Sequence, residues 1–409
     1  MSEAPSHDLL IVGGGMVGAS LAIALSGRGL RIGLVEAYPP GDPGQPGYDD
    51  RAIALAYGSR RIFEAMRLWE DIAGDAEPIA NIHVSDRGHF GFSHLSAAEE
   101  QVPALGYVVT ARRLGHSLLA RLRACADVEL IAPAEVVGVE PDGEAARVQV
   151  LRDGEPLSLS AALLVAADGG KSFIREQLDV PTVRWAYGQS AVVTNITPGR
   201  PHQNLAFERF TESGPVALLP MSGGRCAVVW TVRDQDLEGV LALDDAQFLR
   251  AFQACFGYRL GRFERVGKRA AYPLSLLRVK ESVRGRVAII GNAAHTLHPI
   301  AGQGFNLGIR DVSALVDVVT QAQAEGVDIG AAAVLRQYQD WRSGEQRNMA
   351  LATDGLARLF SNPLAAVRLG RNLGLLAVDL VPGARHRLAR AAMGLAGRLP
   401  RLGRGIRPD

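Results

Sequence analysis

The chain has 409 residues, 47% hydrophobic and 21% charged, with a formal net charge of +1. That length allows two or three domains, and the composition supplies a packed core and excludes wholesale disorder. The balanced charge excludes a basic field for nucleic acid.

Cys125, Cys226 and Cys255 are scattered and form neither a CxxC pair nor a zinc spacing, a usage that suits a reducing cytosol. The opening MSEAPSHDLLIV has a short apolar run with no basic region before it, unlike a signal peptide. No stretch reaches the roughly 18 uninterrupted apolar residues of a spanning helix. The expected location is the cytoplasm.

In chain order, Leu9 to Val12 reads as a short buried strand, Val17 to Ser26 as a helix and Arg31 to Glu36 as a second strand. Pro39 to Gly47 reads as a surface loop. Leu114 to Ala126 has apolar residues at helical spacing. Leu163 to Ala167 and Arg286 to Ile290 read as further buried strands. Between them, Ile82 to Val109 and Gln189 to Tyr272 have another texture. Strand-like stretches such as Val216 to Leu219 and Cys226 to Val232 are broken there by Gly, Pro and Ser turns. No internal repeat is visible, and the pattern from Leu356 onward is helical.

The expected fold class is α/β: a Rossmann-like nucleotide-binding domain interleaved with a mixed β-sheet substrate domain, plus a helical C-terminal region. The expected limits are 1–81, 110–188 and 273–355 for the first, 82–109 and 189–272 for the second, and 356–409 for the tail.

Gly13-Gly14-Gly15-Met16-Val17-Gly18 fits GxGxxG between a strand and a helix. Gly13 permits the tight turn, Gly15 admits a pyrophosphate to the backbone, and Gly18 lets helix and strand pack closely. Val17 lies inside the motif. Orphan N–H groups at the helix start face the phosphates. Glu36 ends the next strand, where a carboxylate accepts both ribose hydroxyls and disfavours a 2′-phosphate. This element alone does not separate FAD from NAD.

Two more segments follow strands: Asp168-Gly169-Gly170-Lys171-Ser172-Phe173-Ile174-Arg175, and Gly291-Asn292-Ala293-Ala294-His295 running on through Pro299 to Gly302-Gln303-Gly304-Phe305-Asn306. They resemble the second and third FAD fingerprints of the group A aromatic hydroxylases, the flavin monooxygenases typified by p-hydroxybenzoate hydroxylase. The resemblance implies FAD held by three segments. It places backbone N–H groups of Gly302 to Asn306, including Gly304 and Phe305, at the flavin N1–C2 carbonyl, where a positive helix end favours reduction. Pro299 would wall the ring, with Gly302 and Gln303 beside it. Asp168 would lie near the cofactor or serve as a helix N-cap. Arg175 reads equally as an ordinary pairing arginine. Asn292 stands where the family has Asp, so a charge-assisted hydrogen bond to the ribitol becomes a neutral one, about 1 kcal/mol weaker.

Arg51, in Asp49-Asp50-Arg51-Ala52-Ile53-Ala54-Leu55, matches a family arginine near the flavin and the pyridine nucleotide. Arg112 matches one that contacts the FAD diphosphate, with Arg113 as an adjacent alternative. His295 and His298 lie near the flavin by motif position, or are structural histidines, with His298 a candidate substrate contact. Leu219, Pro220 and Met221 line the substrate pocket or simply pack.

Within the group, the chain to about residue 345 resembles the ubiquinone-biosynthesis hydroxylases, most strongly those acting on 2-polyprenyl-6-methoxyphenol. The resembling stretches are Asp49 to Leu55, Ser85 to Phe92, Phe207 to Phe210, Gly214 to Trp230 and Arg286 to Asp311. The resemblance implies NAD(P)H as co-substrate, O2, a flavin C4a-hydroperoxide and a lipophilic prenylated phenol. No metal site is visible. A flavin halogenase is disfavoured because WxWxIP is absent. A catalytically idle FAD-binding subunit of a biosynthetic complex is the rival class. From Leu356 the tail has ten arginines against Asp379 and Asp409. That pattern reads as a basic amphipathic helix on the inner face of a bacterial membrane or against a partner, or as a solvated helix.

Overall fold

The computed structural model describes residues 5–39, 41, 51–141, 143–362 and 364–407. Most of the expected loop from Pro39 to Gly47, with Asp49, Asp50 and Asp409, lies outside the described residues.

The strand His7–Val12 is buried along almost all its length, as a strand covered on both faces must be. It pairs in parallel with Ile32–Val35 and with Glu155–Ala166. Val128–Ile131 extends the sheet on one side and Val287–Ile289 on the other, again in parallel. The register matters most for the site. Val12 lies beside Ala166, and Ala166 beside Ile289, so these three strands end at one edge. Side chains alternate between two cores: Leu9 and Ile11 join one, Leu10 and Val12 the other. An antiparallel meander, Ala134–Pro141 and Ala146–Arg152, is added through the first half of Glu155–Ala166. Helix α1 (Met16–Leu25) follows the first strand. Helices α2 (Tyr57–Ala65), α3 (Trp69–Ala73) and α4 (Ala111–Arg123) come before the meander, and α5 (Phe173–Gln177) after it.

A second sheet is built mainly from long antiparallel strands, Thr182–Pro198, Leu205–Thr211, Gly214–Met221, Arg225–Arg233 and Ala270–Val279, with Asn81–Asp86 and Phe92–Ser96 at one edge. Helices α6 (Asp234–Ala242) and α7 (Asp245–Phe256) follow its fourth long strand. An aromatic core of Trp230, Phe248, Phe252, Phe256 and Phe263 joins α7 to the sheet. Residues 182–188 and 273–279 were expected in the nucleotide domain, but they pair with each other here, Thr182 with Val279 through Ala186 with Ser275. One 17-residue strand crosses the expected limit. Its interruption is a bulge around Gly188 (φ +66°) that bends the strand without ending it. A small third sheet joins Ala52–Ala56, Glu77–Ile79 and Gly106–Thr110.

The remaining helices are α8 (Gln303–Ala324), α9 (Ala332–Ser361), α10 (Ala365–Leu380) and α11 (Pro382–Ala392). Helix α8 packs against α1 in the first core. The expected tail boundary at 356 falls inside α9, whose buried positions Thr353, Ala357 and Phe360 continue one face through it.

Some of the tail's arginines turn to partners within the fold, while Arg368, Arg387, Arg390, Arg404 and Arg407 stay exposed. Arg371 is buried against Asp86, and Asn372 donates to the same carboxylate while accepting from the Gly91 N–H. Arg385 pairs with Glu99, Arg358 with Asp354, and Arg398 stacks on Trp341. Arg371, Arg385 and Arg398 pin the tail to the body, because each meets a carboxylate or ring from another part of the chain, and Arg358 lies over the Trp185 ring at 5.4 Å. No helix among the described residues is long and apolar enough to cross a membrane.

Replacing Arg371 by Met should leave Asp86 buried without its ion-pair partner, at a cost of roughly 3 kcal/mol. The measure is the urea midpoint, together with faster protease cleavage after residue 361. An unchanged midpoint would show that α10 docks without this pair.

Candidate active site

The aligned ends of three parallel strands bring three glycine turns together at the sheet edge, the crevice where open α/β sheets bind ligands. In the first turn Gly13 has φ +105°, and a Cβ there would lie 2.5 Å from the Ala167 carbonyl oxygen. A Cβ on Gly18 would lie 1.9 Å from the Gly13 oxygen, so α1 could not approach its strand with any larger residue. Gly15, the N-cap of α1, has an ordinary extended conformation and nothing within 4 Å of its would-be Cβ. The space before the helix is open. Glu36 reaches across the turn, its two carboxylate oxygens accepting from the Gly14 and Tyr38 N–H groups at 2.7 and 3.0 Å.

In the second turn, Ser172 is the N-cap of α5, accepting from the Arg175 N–H. Asp168 is therefore not the N-cap. Its Oδ2 accepts from the Ile174 N–H, while Oδ1 is buried with no hydrogen-bond partner among the described residues. Burial raises its pKa, partly offset by the Ser172 and Ile174 hydrogen bonds. Arg175 is 2% exposed and donates to the carbonyls of both Ala293 and Gly170. It ties the second turn to the third.

The third turn sits on α8. A Cβ on Gly291 or Gly308 would lie 3.1 or 3.2 Å from the Val17 side chain, so only glycine lets the third turn and α8 come this close to α1. Asp311, fully buried, accepts from the Gly291 N–H at 3.1 Å. The same carboxylate meets His295 Nε2 at 2.6 Å, Arg342 Nε at 2.9 Å and Gln346 Nε2 at 3.0 Å. Burial alone would raise its pKa. His295 and Arg342 outweigh that and hold it well below the usual carboxylate range. Asp311, Arg342 and Gln346 were not singled out from sequence. The available cue was an Arg310–Asp311 pair inside an otherwise apolar helix face.

Asn292 is exposed on the turn. Pro299 precedes a single helical turn, and Gly302 takes φ +60°, where a Cβ would press on Ala54 at 3.0 Å. Gly304 faces open space. The Asn306 side chain is committed internally. It accepts from the Ala56 N–H and Ser59 hydroxyl and donates to the Ala54 and Gly302 carbonyls, all at 2.8 Å. Phe305 stacks on Phe63 in the core. At these two positions only the backbone remains for a ligand. Gln303 is buried and donates to the Ala392 carbonyl at the end of α11.

Leu219 and Met221 share one face of the second sheet, with Ala206 and Ala227. Met221 is packed core, 3% exposed. Leu219 is half-buried beside it. His295 is structural, through Asp311. His298 is fully buried, its ring edge-on to Tyr187 at 4.9 Å. Neither ring nitrogen has a partner among the described residues, and burial pushes its pKa down to about 4. Phe210, from the same strand as Ala206, stacks on Phe360 and packs with Ile300 of the third segment.

Arg51 and Arg112 line one cleft of about 680 Å³ that also includes Arg225, Arg265 and Lys268. Arg51 lies over the Tyr272 ring at 4.8 Å. Arg113 points elsewhere, to Asp75 at 2.7 Å. The geometry thus puts Arg112, not its neighbour, beside Arg51. No group of three metal-ligating side chains occurs among the described residues.

The FAD binding domain family matches residues 6–344. Ubiquinone hydroxylase UbiL of Rhodospirillum rubrum is 39% identical over 402 residues, covering 98% of this chain and 93% of that protein. The 3-demethoxyubiquinol 3-hydroxylase of Escherichia coli is 30% identical over 401 residues, covering 97% and 100%. The chain belongs to the FAD-dependent ubiquinone-biosynthesis hydroxylase family. It is an FAD-dependent monooxygenase, with NAD(P)H as co-substrate. The solved structure of p-nitrophenol 4-monooxygenase PnpA from Pseudomonas putida shares this fold, with a TM-score of 0.79 at 19% identity, covering 96% of this chain and 98% of that one.

The residues of this hydroxylase fit FAD. Gly15 and Gly304 leave open space at two helix starts, where backbone N–H groups favour anionic groups. The buried, unpartnered Asp168 Oδ1 leaves an acceptor at the second turn.

Gly15→Val should fold normally, because the backbone there suits any residue, yet lose FAD because the side chain fills the phosphate space. Absence of the flavin absorbance near about 450 nm is the expected reading; a yellow variant would displace the first turn from the site. The pH dependence of stability gives a second test. His298 and His83 are both pushed down to about 4, chiefly by burial. The unfolded chain takes up protons near 6.5 while the folded chain does not. Their stabilising contribution is therefore full above pH 6.5 and falls as pH drops toward 4. His298→Leu should flatten the urea-midpoint profile between pH 7.5 and 5; an unaltered slope would mean His298 charges in the folded state.

Proposed function

We propose that this hydroxylase adds one oxygen atom to the phenolic ring of a polyprenylated ubiquinone precursor, with 2-polyprenyl-6-methoxyphenol as the substrate. The supporting observation is the juxtaposition at the crevice. Three turns suited to one dinucleotide lie against a sheet face that is apolar at Leu219, Met221 and Phe210. The balance is ring C–H plus O2, NAD(P)H and a proton, giving ring C–OH, water and NAD(P)⁺. FAD held at these turns would supply hydride acceptance from NAD(P)H and activation of O2.

The chain's own residues then have four tasks. The N–H groups at the starts of α1 and α8 hold anionic oxygens. Arg175 and Asp311 fix the second and third turns relative to each other. The cationic cleft of Arg51, Arg112, Arg225, Arg265 and Lys268 suits the phosphates of NAD(P)H. Phe210, Phe360 and Ile300 keep water from the ring. His298 stays neutral and is available as a hydrogen-bond partner rather than as a cation. Such a substrate lives in a membrane, so the reading includes work from the cytoplasm at the inner face of a bacterial membrane.

A second reading is the same chemistry at another ring carbon, favoured by the full-length match to a relative named as a 3-hydroxylase. Complementation separates the two. Bacterial strains each lacking one ubiquinone hydroxylase should show recovery of ubiquinone in the strain defective on the methoxyphenol. Recovery in a different strain moves the ring position. Recovery in none, with no substrate-stimulated NAD(P)H oxidation by the purified protein, favours an idle FAD-binding subunit.

A further inference from the structure

A cavity of about 530 Å³ lies between α9, α11 and the start of α8. Its walls include Met349, Ala352, Leu356 and Leu388. Leu356 and Leu388 are also 37% and 41% exposed, so the rim is apolar where it meets solvent. The opposite end is polar. Arg310 reaches it from α8, 4% exposed, with Nε on Glu345. Its Nη1 and Nη2 have no hydrogen-bond partner among the described residues. Gly394 (φ +71°) closes over this guanidinium, and a Cβ there would lie 2.9 Å from Nη1. Ile300 and Gln303 of the third segment also line the cavity, Ile300 packing with Ala357 beside Leu356.

An apolar mouth leading to buried, unused donors is the complement of an amphiphile with an acceptor oxygen at its head. A small polar metabolite would leave the leucine wall uncovered, and a plain alkane would leave the donors unpaired. The adjoining surface fits the same ligand class. Helix α10 turns Arg371, Asn372 and Asp379 inward, onto Asp86, Gly91 and His94. It shows Leu369, Leu373 and Leu380 outward, 54%, 53% and 76% exposed. With exposed Arg368 beside them, these leucines make the outer face an apolar strip with a basic residue, a pattern suited to a lipid surface.

We propose that this cavity is a binding site for an oxygenated ring carrying a long aliphatic chain. The ring oxygen accepts from Arg310, and the chain runs out past Leu356 and Leu388. The identification of the ring as phenol or quinone rests on the function proposed above; the amphiphile does not. The phenol substrate and the quinone it leads to share this chemistry.

The test uses the FAD-loaded full chain and a decyl-substituted dimethoxybenzoquinone, which quenches tryptophan. Trp341 lines the cavity, so binding should quench its fluorescence, and Trp341→Phe should lose that component. A decyl-substituted methoxyphenol added as competitor shows whether the substrate class occupies the same place. Arg310→Met should weaken the quinone about tenfold or more while leaving 1-bromodecane quenching in place. Ala352→Phe fills the cavity away from the charges and should abolish both, with the flavin spectrum unchanged. Quenching that survives Ala352→Phe, or that is equal in Trp341→Phe, overturns the proposal. Oxidation of NAD(P)H with an untailed methoxyphenol is read in parallel. Its absence counts against the proposed reaction alone, and its presence without probe binding counts against the cavity alone.

Discussion

Val12, Ala166 and Ile289 lie side by side at the ends of three parallel strands. Everything at the site depends on that register. Each strand is followed at once by a glycine turn, so one edge receives three turns from parts of the chain more than 100 residues apart. A slip of one residue would turn every side chain of a strand to the other face, and the two cores that Leu9 and Leu10 enter from opposite sides would both be broken. Core packing therefore fixes the height of the turns, and the turns inherit the precision of the core.

That alignment alone would leave the turns free to tilt. Arg175 and Asp311 remove the freedom. One guanidinium holds the carbonyls of the second and third turns, and one carboxylate holds the Gly291 N–H while satisfying His295, Arg342 and Gln346. A buried carboxylate is stable only with its charge compensated and its oxygens hydrogen-bonded. Arg342 and Gln346 come from α9, so α9 is part of the site although it lies far along the chain. This explains why the boundary expected at 356 finds no break there. The helix that braces the third turn is the one that carries the tail away.

The legible parts of the sequence were those whose chemistry is local. Gly13 and Gly18 are readable because a turn that admits no Cβ leaves glycine at fixed spacing, and Gly15 because the space before the helix must stay open for a phosphate. Glu36 is readable because it ends the next strand. Asp311 was not, since nothing near it in sequence says that His295, Arg342 and Gln346 will converge on it. Asn306 matched a fingerprint as a ligand residue, yet its side chain spends all its hydrogen bonds on Ala54, Ala56, Ser59 and Gly302. A motif records that a residue type is needed, not which way it points. Arg112 and Arg113 make the same point: adjacent and alike on paper, they are separated only by the face of α4 each occupies.

The tail shows what composition leaves open. Ten arginines among leucines suggested a cationic face toward an anionic surface. In the fold, long-range partners claim three of those charges: Asp86 takes Arg371, Glu99 takes Arg385, and Trp341 takes Arg398; Arg368, Arg387, Arg390, Arg404 and Arg407 stay exposed. Once Arg371, Asn372 and Asp379 of α10 are drawn inward, its helical period puts Leu369, Leu373 and Leu380 outward, because residues three and four apart share a face. An outward apolar face is then a consequence of how the tail is anchored, and it costs solubility unless something apolar covers it. The outward leucines follow from the same contacts that hold the helix in place.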